Sequence, residues 1–184
     1  MPASRRTSSQ FIFIGRHILQ NKQYNVLVLC TGNSARSILG EALFNSLGKG
    51  RFIAYSAGSH PVGRVNPFAL ELLQQQSHSI AGLHSKSWDE FAAPDAPELD
   101  FIFTVCDNAA GETCPIWPGK PATAHWGIPD PAGVEDGDEA KRAAFRTAYN
   151  QLARRIQLIM SLPIESLDKL TLKQKLAEIG RVPD

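Results

Sequence analysis

Apolar residues in this chain fall into short β-branched or leucine-rich runs, separated by longer stretches in which they recur at helical intervals. Val26-Leu27-Val28-Leu29, closing on Cys30, reads as a buried strand over 26–30, because an unbroken apolar run bounded by small polar residues leaves neither face for water. Ile38, Leu39, Ala42, Leu43 and Leu47 then mark a helix over 35–47, with Gly48 as its stop. The alternation continues with a strand at 52–56 and a helix at 66–76, a strand at 101–105, a strand at 122–125 and a helix at 139–160. Asn66-Pro67 supplies a cap followed by a proline at the first helical position. In the last helix, Phe145, Ala148, Tyr149, Leu152, Ile156 and Ile159 line a core face, with Asp138 and Glu139 early and Arg154 and Arg155 late, as the helix dipole favours. Strands alternating with helices predict an α/β domain whose parallel sheet is covered on both faces. In such a sheet ligands bind beyond the carboxyl ends of the strands, where the strand order reverses.

Composition narrows the function classes. With 184 residues, 43% of them hydrophobic, and a formal net charge of +1, the chain fits one domain with a sizeable core and lacks the field that nucleic acid or a membrane surface would require. The three cysteines are odd in number and contain no Cys-x-x-Cys pair, and the five histidines show no close metal spacing. Reactive thiols in a reducing cytoplasm fit this pattern better than a disulfide framework or a zinc site. Residues 1–24 stand apart as an extension: they carry Arg5, Arg6, Arg16 and Lys22 and no acidic residue. Phe11-Ile12-Phe13-Ile14 is too short for a secretory apolar region or a membrane span; the Arg/Ser bias keeps a transit peptide as a rival to the blander readings, a partly disordered leader or a short helix packing on the domain. This assigns 25–161 to the domain and 162–184 to a C-terminal helical tail.

The chemistry concentrates at Cys30-Thr31-Gly32-Asn33-Ser34-Ala35-Arg36-Ser37, between the first strand and the first helix. Backbone N–H groups left free at a helix start converge with the positive end of its dipole, so Thr31 to Arg36 form a cradle for a tetrahedral oxyanion with Cys30 beneath its central atom. The same field, with Arg36 nearby, predicts a lowered Cys30 pKa and a nucleophilic thiolate. Arg36 offers a fork that grips two oxygens at once, and the Ser37 hydroxyl is placed to hydrogen-bond the sulfur. Asp130, in Ile128-Pro129-Asp130-Pro131, is a carboxyl on a stiff loop, suited to protonating a departing oxygen. A second thiol, Cys106, follows Phe101-Ile102-Phe103-Thr104-Val105 and therefore lies on the same sheet edge as Cys30. The stretch Asp107–Thr113, small and polar, separates it from Cys114 and is suited to changing shape. Blander fates are a buried inert cysteine at 30, a core cysteine at 106, a bystander at 114 and a turn aspartate at 130. His125 beside Trp126 reads as a packing and hydrogen-bonding residue.

Taken with Tyr55-Ser56-Ala57-Gly58, Val65-Asn66-Pro67, the segment Cys106–Pro115 and His125-Trp126-Gly127-Ile128-Pro129-Asp130-Pro131-Ala132, the chain resembles the thiol-dependent arsenate reductases built on the low-molecular-weight tyrosine phosphatase fold, from about 25 to 160. The resemblance implies a flavodoxin-like open parallel sheet of about four strands with helices on both faces. It also implies a reaction: Cys30 attacks arsenate, Asp130 donates the proton, Cys106 displaces arsenite by forming a disulfide, and Cys114 carries that disulfide outward. Phosphate and sulfate would compete for the cradle, no cofactor is tightly bound, and the reductant is thioredoxin or glutathione with glutaredoxin. The seven residues between Cys106 and Cys114 are one more than in the thioredoxin-coupled pattern, which leaves the reductant open. Asn33, Glu41, Ser56 and Asp89 match a monovalent-cation site in some relatives, implying potassium. Two other functions remain: a phosphatase of the same fold using Cys30, Arg36 and Asp130, and a non-catalytic oxyanion-sensing or partner-binding domain.

Overall fold

The central strand is apolar along most of its length because neither of its faces meets water. Tyr24–Cys30 (β1) is flanked by Phe52–Gly58 (β2) on one side and Phe101–Thr104 (β3) on the other, and Ala122–His125 (β4) closes the far edge. All pairs are parallel and the order is β2-β1-β3-β4. The computed structural model describes residues 22–107 and 115–183. β1 starts two residues before the predicted strand, because the Tyr24 ring is buried 5.6 Å from that of Phe52 and 5.5 Å from that of Phe101. Likewise β2 runs on to Gly58 rather than ending at 56.

Helices Arg36–Leu47 (α1), Pro67–Gln75 (α2), Asp138–Met160 (α3) and Lys169–Gly180 (α4) contribute to one core with Val26, Val28, Phe101 and Phe103 of the sheet. Helix α1 is buried continuously from Ser37 to Phe44, held between the sheet and α3, which explains why its apolar residues do not form a single stripe. The Phe103 and Trp126 rings stack at 4.0 Å, and Phe44 stacks on both; burying each such ring stabilises by roughly 2–3 kcal/mol. On the other face, Leu27, Leu29 and Ile102 are covered by the short 3-10 turn Trp88–Phe91, Leu99 and the partly buried Trp117.

Local signals at the termini behave as their chemistry dictates. The Asn66 side chain accepts from Phe68 N–H at 3.0 Å, with Pro67 opening α2. Gly48 ends α1 in a right-handed conformation; its lack of a Cβ matters because one would lie 2.5 Å from the Phe44 carbonyl oxygen. The left-handed residues follow it, Lys49 and Gly50. Helix α4, capped by the Asp168 carboxylate at Leu170 and Thr171 N–H, lies on β4: Leu176 and Ile179 are buried, and Trp126 Nε1 donates to the Leu176 carbonyl at 3.0 Å. Residues 162–183 are thus packed on the sheet edge. The N-terminal extension lies outside the described residues up to 21.

Candidate active site

β1 ends at the switch point, with β2 on one side and β3 on the other, and Cys30 is its last residue. Parallel strands with matched ends bring Gly58, Thr104 and the residues after them to the same edge. The chain then curls back over Cys30: Asn33 takes φ +42, a left-handed conformation that asparagine tolerates better than most residues, and its backbone N–H turns onto Cys30 Sγ at 3.2 Å. Ser37, one residue into α1, places Oγ 2.9 Å from the same sulfur. Carbonyls of the loop are held from outside by His60 N–H on Thr31, Val62 N–H on Gly32 and Asn66 N–H on Ser34. These three loop carbonyls are therefore engaged by the segment that follows β2.

Gly58 makes room for this curl. Its ordinary backbone conformation needs no glycine, but a Cβ there would stand 2.4 Å from the Thr31 carbonyl oxygen and 3.0 Å from Asn33 N.

The electrostatics of Cys30 depart from the expectation of a lowered pKa. Burial pushes the thiol up, the Ser37 and Asn33 hydrogen bonds pull it down, and the neighbouring Cys106 adds a further upward push. The expected downward influence, Arg36, is engaged elsewhere. Its guanidinium donates to the Ile128 carbonyl at 2.8 Å through Nη1 and pairs with Asp130 Oδ1 at 3.3 Å through Nη2, so it is turned to the facing loop rather than to sulfur.

That facing loop is built by β4 and α3. After His125 the chain continues along β3, with Trp126 N–H on Thr104 O and Ile128 N–H on Val105 O. Arg155, expected as a late dipole-matching residue of the last helix, is instead buried and donates through Nη1 to the Trp126 and Gly127 carbonyls at 2.8 and 3.1 Å. It fixes the loop that presents Asp130 to Arg36. Asp130 is half exposed, and its carboxylate also caps Ala132 N–H at 3.2 Å.

Cys106 is buried, with Sγ 3.5 Å from Thr31 Oγ1, so the second thiol stands against the residue next to Cys30. His125 bonds Thr104 Oγ1 at 2.9 Å and Asp107 Oδ1 at 3.0 Å, tying the end of β4 to the start of the Cys106 loop. Cys114 and the stretch 108–114 lie outside the described residues.

Of the residues matched to a cation site, Asn33, Ser56 and Glu41 meet: Asn33 Nδ2 donates to Ser56 Oγ at 2.9 Å, and Ser56 donates to Glu41 Oε2 at 2.5 Å. Asp89 is exposed and accepts from the Ser87 hydroxyl. In its stead, a buried lysine that sequence reasoning missed, Lys86, brings Nζ to 3.6 Å from Glu41 Oε2. No pattern in the sequence marks it, since lysine is almost never fully buried unless paired and nothing local reveals the partner. Among the described residues no group of three or more His, Cys, Asp or Glu side chains is arranged to hold a metal, and no helix is long and apolar enough to cross a membrane.

A cysteine at the switch point, an arginine at the following helix start and an aspartate on the facing loop are the arrangement expected of an enzyme that handles an oxyanion through a thiol. The family model for low molecular weight phosphotyrosine protein phosphatase matches residues 25–173, and the chain belongs to that family. Among curated relatives, the arsenate reductase of Halalkalibacterium halodurans is 34% identical over 132 residues, covering 72% of this chain and 91% of the relative. A solved structure described as an arsenate reductase in the phosphate binding state superposes with a TM-score of 0.62 at 25% identity, covering 76% of this chain and 98% of that one. The arsenate reductase from Archaeoglobus fulgidus gives a TM-score of 0.54 at 29% identity, covering 72% and 98%.

Proposed function

We propose that this protein reduces arsenate to arsenite through a thiol relay. The observation that carries the reading is the second buried thiol, Cys106, against Thr31 of the anion loop; hydrolysis of a phosphoester has no use for it. Relatives named arsenate reductase, and one solved in a phosphate-binding state, support the same substrate class.

Cys30 Sγ attacks arsenic of a bound arsenate, and Asp130 protonates the departing oxygen, which leaves as water. Cys106 then attacks Cys30 Sγ. The S–As electron pair stays with arsenic, which is reduced by two electrons and leaves as arsenite, and the two thiols are oxidised to one disulfide. Cys114 attacks Cys106, releasing Cys30 and forming a Cys106–Cys114 disulfide for an external dithiol to reduce. Arg36 turns from Ile128 and Asp130 to the arsenate oxygens when these arrive, a charge-assisted exchange that frees the aspartate to act as acid and brings positive charge to the sulfur. Thioredoxin, or glutathione with glutaredoxin, is the partner, and a reducing cytoplasm is the setting. Potassium has no part in this reading, because the Lys86 ammonium stands at Glu41 and Asp89 is engaged by Ser87.

The test is arsenate reduction assayed with thioredoxin and glutaredoxin systems in parallel, beside aryl-phosphate hydrolysis. Cys106→Ser should complete the first step and stall with an arsenic or small-thiol adduct on Cys30, visible by mass spectrometry. Cys114→Ser should accumulate the Cys30–Cys106 disulfide. If Cys106→Ser keeps full turnover while aryl phosphate is cleaved briskly, the protein is a phosphatase.

A further inference from the structure

A chain of oriented hydrogen bonds runs from Lys86 to the nucleophile. The Lys86 backbone N–H donates to Asn33 Oδ1 at 2.8 Å, which fixes the amide and turns both of its hydrogens the other way. One goes to Ser56 Oγ and one to Ser37 Oγ, each at 2.9 Å. Ser56 donates to the Glu41 carboxylate at 2.5 Å, and Ser37, whose oxygen already accepts from Asn33, has its hydroxyl hydrogen available for a Cys30 thiolate, the two atoms standing 2.9 Å apart. The direction of the hydrogen bond that stabilises a Cys30 thiolate is therefore set at Asn33.

The same chain ends on a buried carboxylate. The Glu41 side chain is 11% exposed and that of Lys86 7%. A carboxylate in this place, uncompensated, would oppose the formation of a second negative charge on Cys30. The Lys86 ammonium, 3.6 Å from Glu41 and also donating to the His84 carbonyl at 3.2 Å, cancels it.

We propose that Lys86 is the resident cation of this site: a positioning residue that orients Asn33 through its backbone and, through its ammonium, neutralises Glu41 so that Cys30 can ionise. This rests on the reading of Cys30 as the nucleophile, and it assigns to a side chain the charge that the matched residues would otherwise take from a bound ion. Among the described residues, the other ionisable groups facing this site include Arg36 from α1, Tyr55 of β2 beside Glu41, His60 after β2, Cys106 after β3 and Asp130 on the facing loop; all are unchanged in the test.

The measurement is the pH dependence of iodoacetamide modification of Cys30 in the full chain, followed at the Cys30 peptide by mass spectrometry. Lys86→Met should raise the apparent Cys30 pKa and Glu41→Gln should lower it, each by about one pH unit, because they leave opposite charges behind in a poorly screened place. Lys86→Met combined with Glu41→Gln should return the value close to that of the unmodified chain. A merely structural pair would move both single variants in the same direction, or neither, and that result overturns the proposal. Should Lys86→Met fail to fold, Glu41→Gln and Lys86→Arg decide alone: the first must shift downward and the second stay near the starting value, and an upward shift in Glu41→Gln rejects the idea. Replacing sodium chloride by potassium chloride at constant ionic strength should leave the unmodified chain's Cys30 pKa in place; a potassium-dependent change would mean that an ion, not Lys86, supplies the charge. If Cys30 proves dispensable for arsenate reduction while the opposite shifts are still seen, the functional reading fails and the charge relation stands.

Discussion

Gly58→Ala tests the close approach between β2 and the anion loop. The added Cβ would lie 2.4 Å from the Thr31 carbonyl oxygen, and its next neighbours, Asn33 Cβ and Asn33 N, are both at 3.0 Å. Two of those three contacts are backbone of the loop, which cannot move aside as a flexible side chain would, so the loop must retreat by roughly 0.6–1 Å to restore ordinary contact. Crowding of this kind costs about 1–3 kcal/mol, or a melting temperature lower by about 3–10 °C in a domain of this size. The larger effect falls on chemistry. A displacement approaching 1 Å between nucleophile and substrate costs about 10²-fold in turnover, near 2.7 kcal/mol of barrier. Gly50→Ala is the control: Gly50 has φ +81, nothing lies within 4 Å of the added Cβ, and the turn is remote from Cys30. It should cost about 1 kcal/mol of stability and leave turnover alone. Thermal unfolding and steady-state arsenate reduction on the three proteins decide the matter. If Gly58→Ala melts and turns over like the unsubstituted chain, the loop is not held against β2 and the reasoning fails.

Arg36→Lys should lower turnover by several orders of magnitude, since a point charge replaces a two-pronged donor; a near-normal rate would mean the arginine never leaves Asp130 and Ile128 for the anion. Asp130→Asn should reduce kcat far more than arsenate affinity, whereas weaker binding at unchanged kcat would make Asp130 only a tether for Arg36. His78, bonded through Nε2 to Tyr149 Oη at 2.6 Å, has its pKa lowered by burial. The unfolded chain then binds the proton more readily than the folded one, so stability is fully present above the ordinary histidine pKa of about 6.5 and declines as pH falls below it. Chemical denaturation between pH 7.5 and 5 (roughly the span over which an unperturbed histidine titrates) should show that loss in the unmodified chain and a smaller one in His78→Phe; equal slopes would place the acid sensitivity elsewhere.

Much of this protein was determined by local sequence. Apolar runs bounded by small polar residues specify strands wherever they fall in the sheet, and helical periodicity with Asn66-Pro67 specifies where α2 begins, because these signals depend on neighbours within a few residues. The place of Cys30 at the carboxyl end of the first strand follows from the alternation of strands and helices, and the order β2-β1-β3-β4 makes that end the switch point. What tertiary structure decided was the choice of partner for each buried polar group. Asn33 and Lys86 are 53 residues apart, Arg36 and Ile128 are 92 apart, and Arg155 turned from the helix end to the Trp126 and Gly127 carbonyls. Lysine, arginine and asparagine carry no periodicity that announces burial, since each is ordinarily solvated and enters a core only when a remote segment brings its counter-charge or acceptor. The direction of the Cys30 pKa was decided in the same way. Burial of the thiol at the sheet edge, which no local signal reports, is the largest upward influence, while the arginine six residues away is engaged by the Asp130 carboxylate and the Ile128 carbonyl.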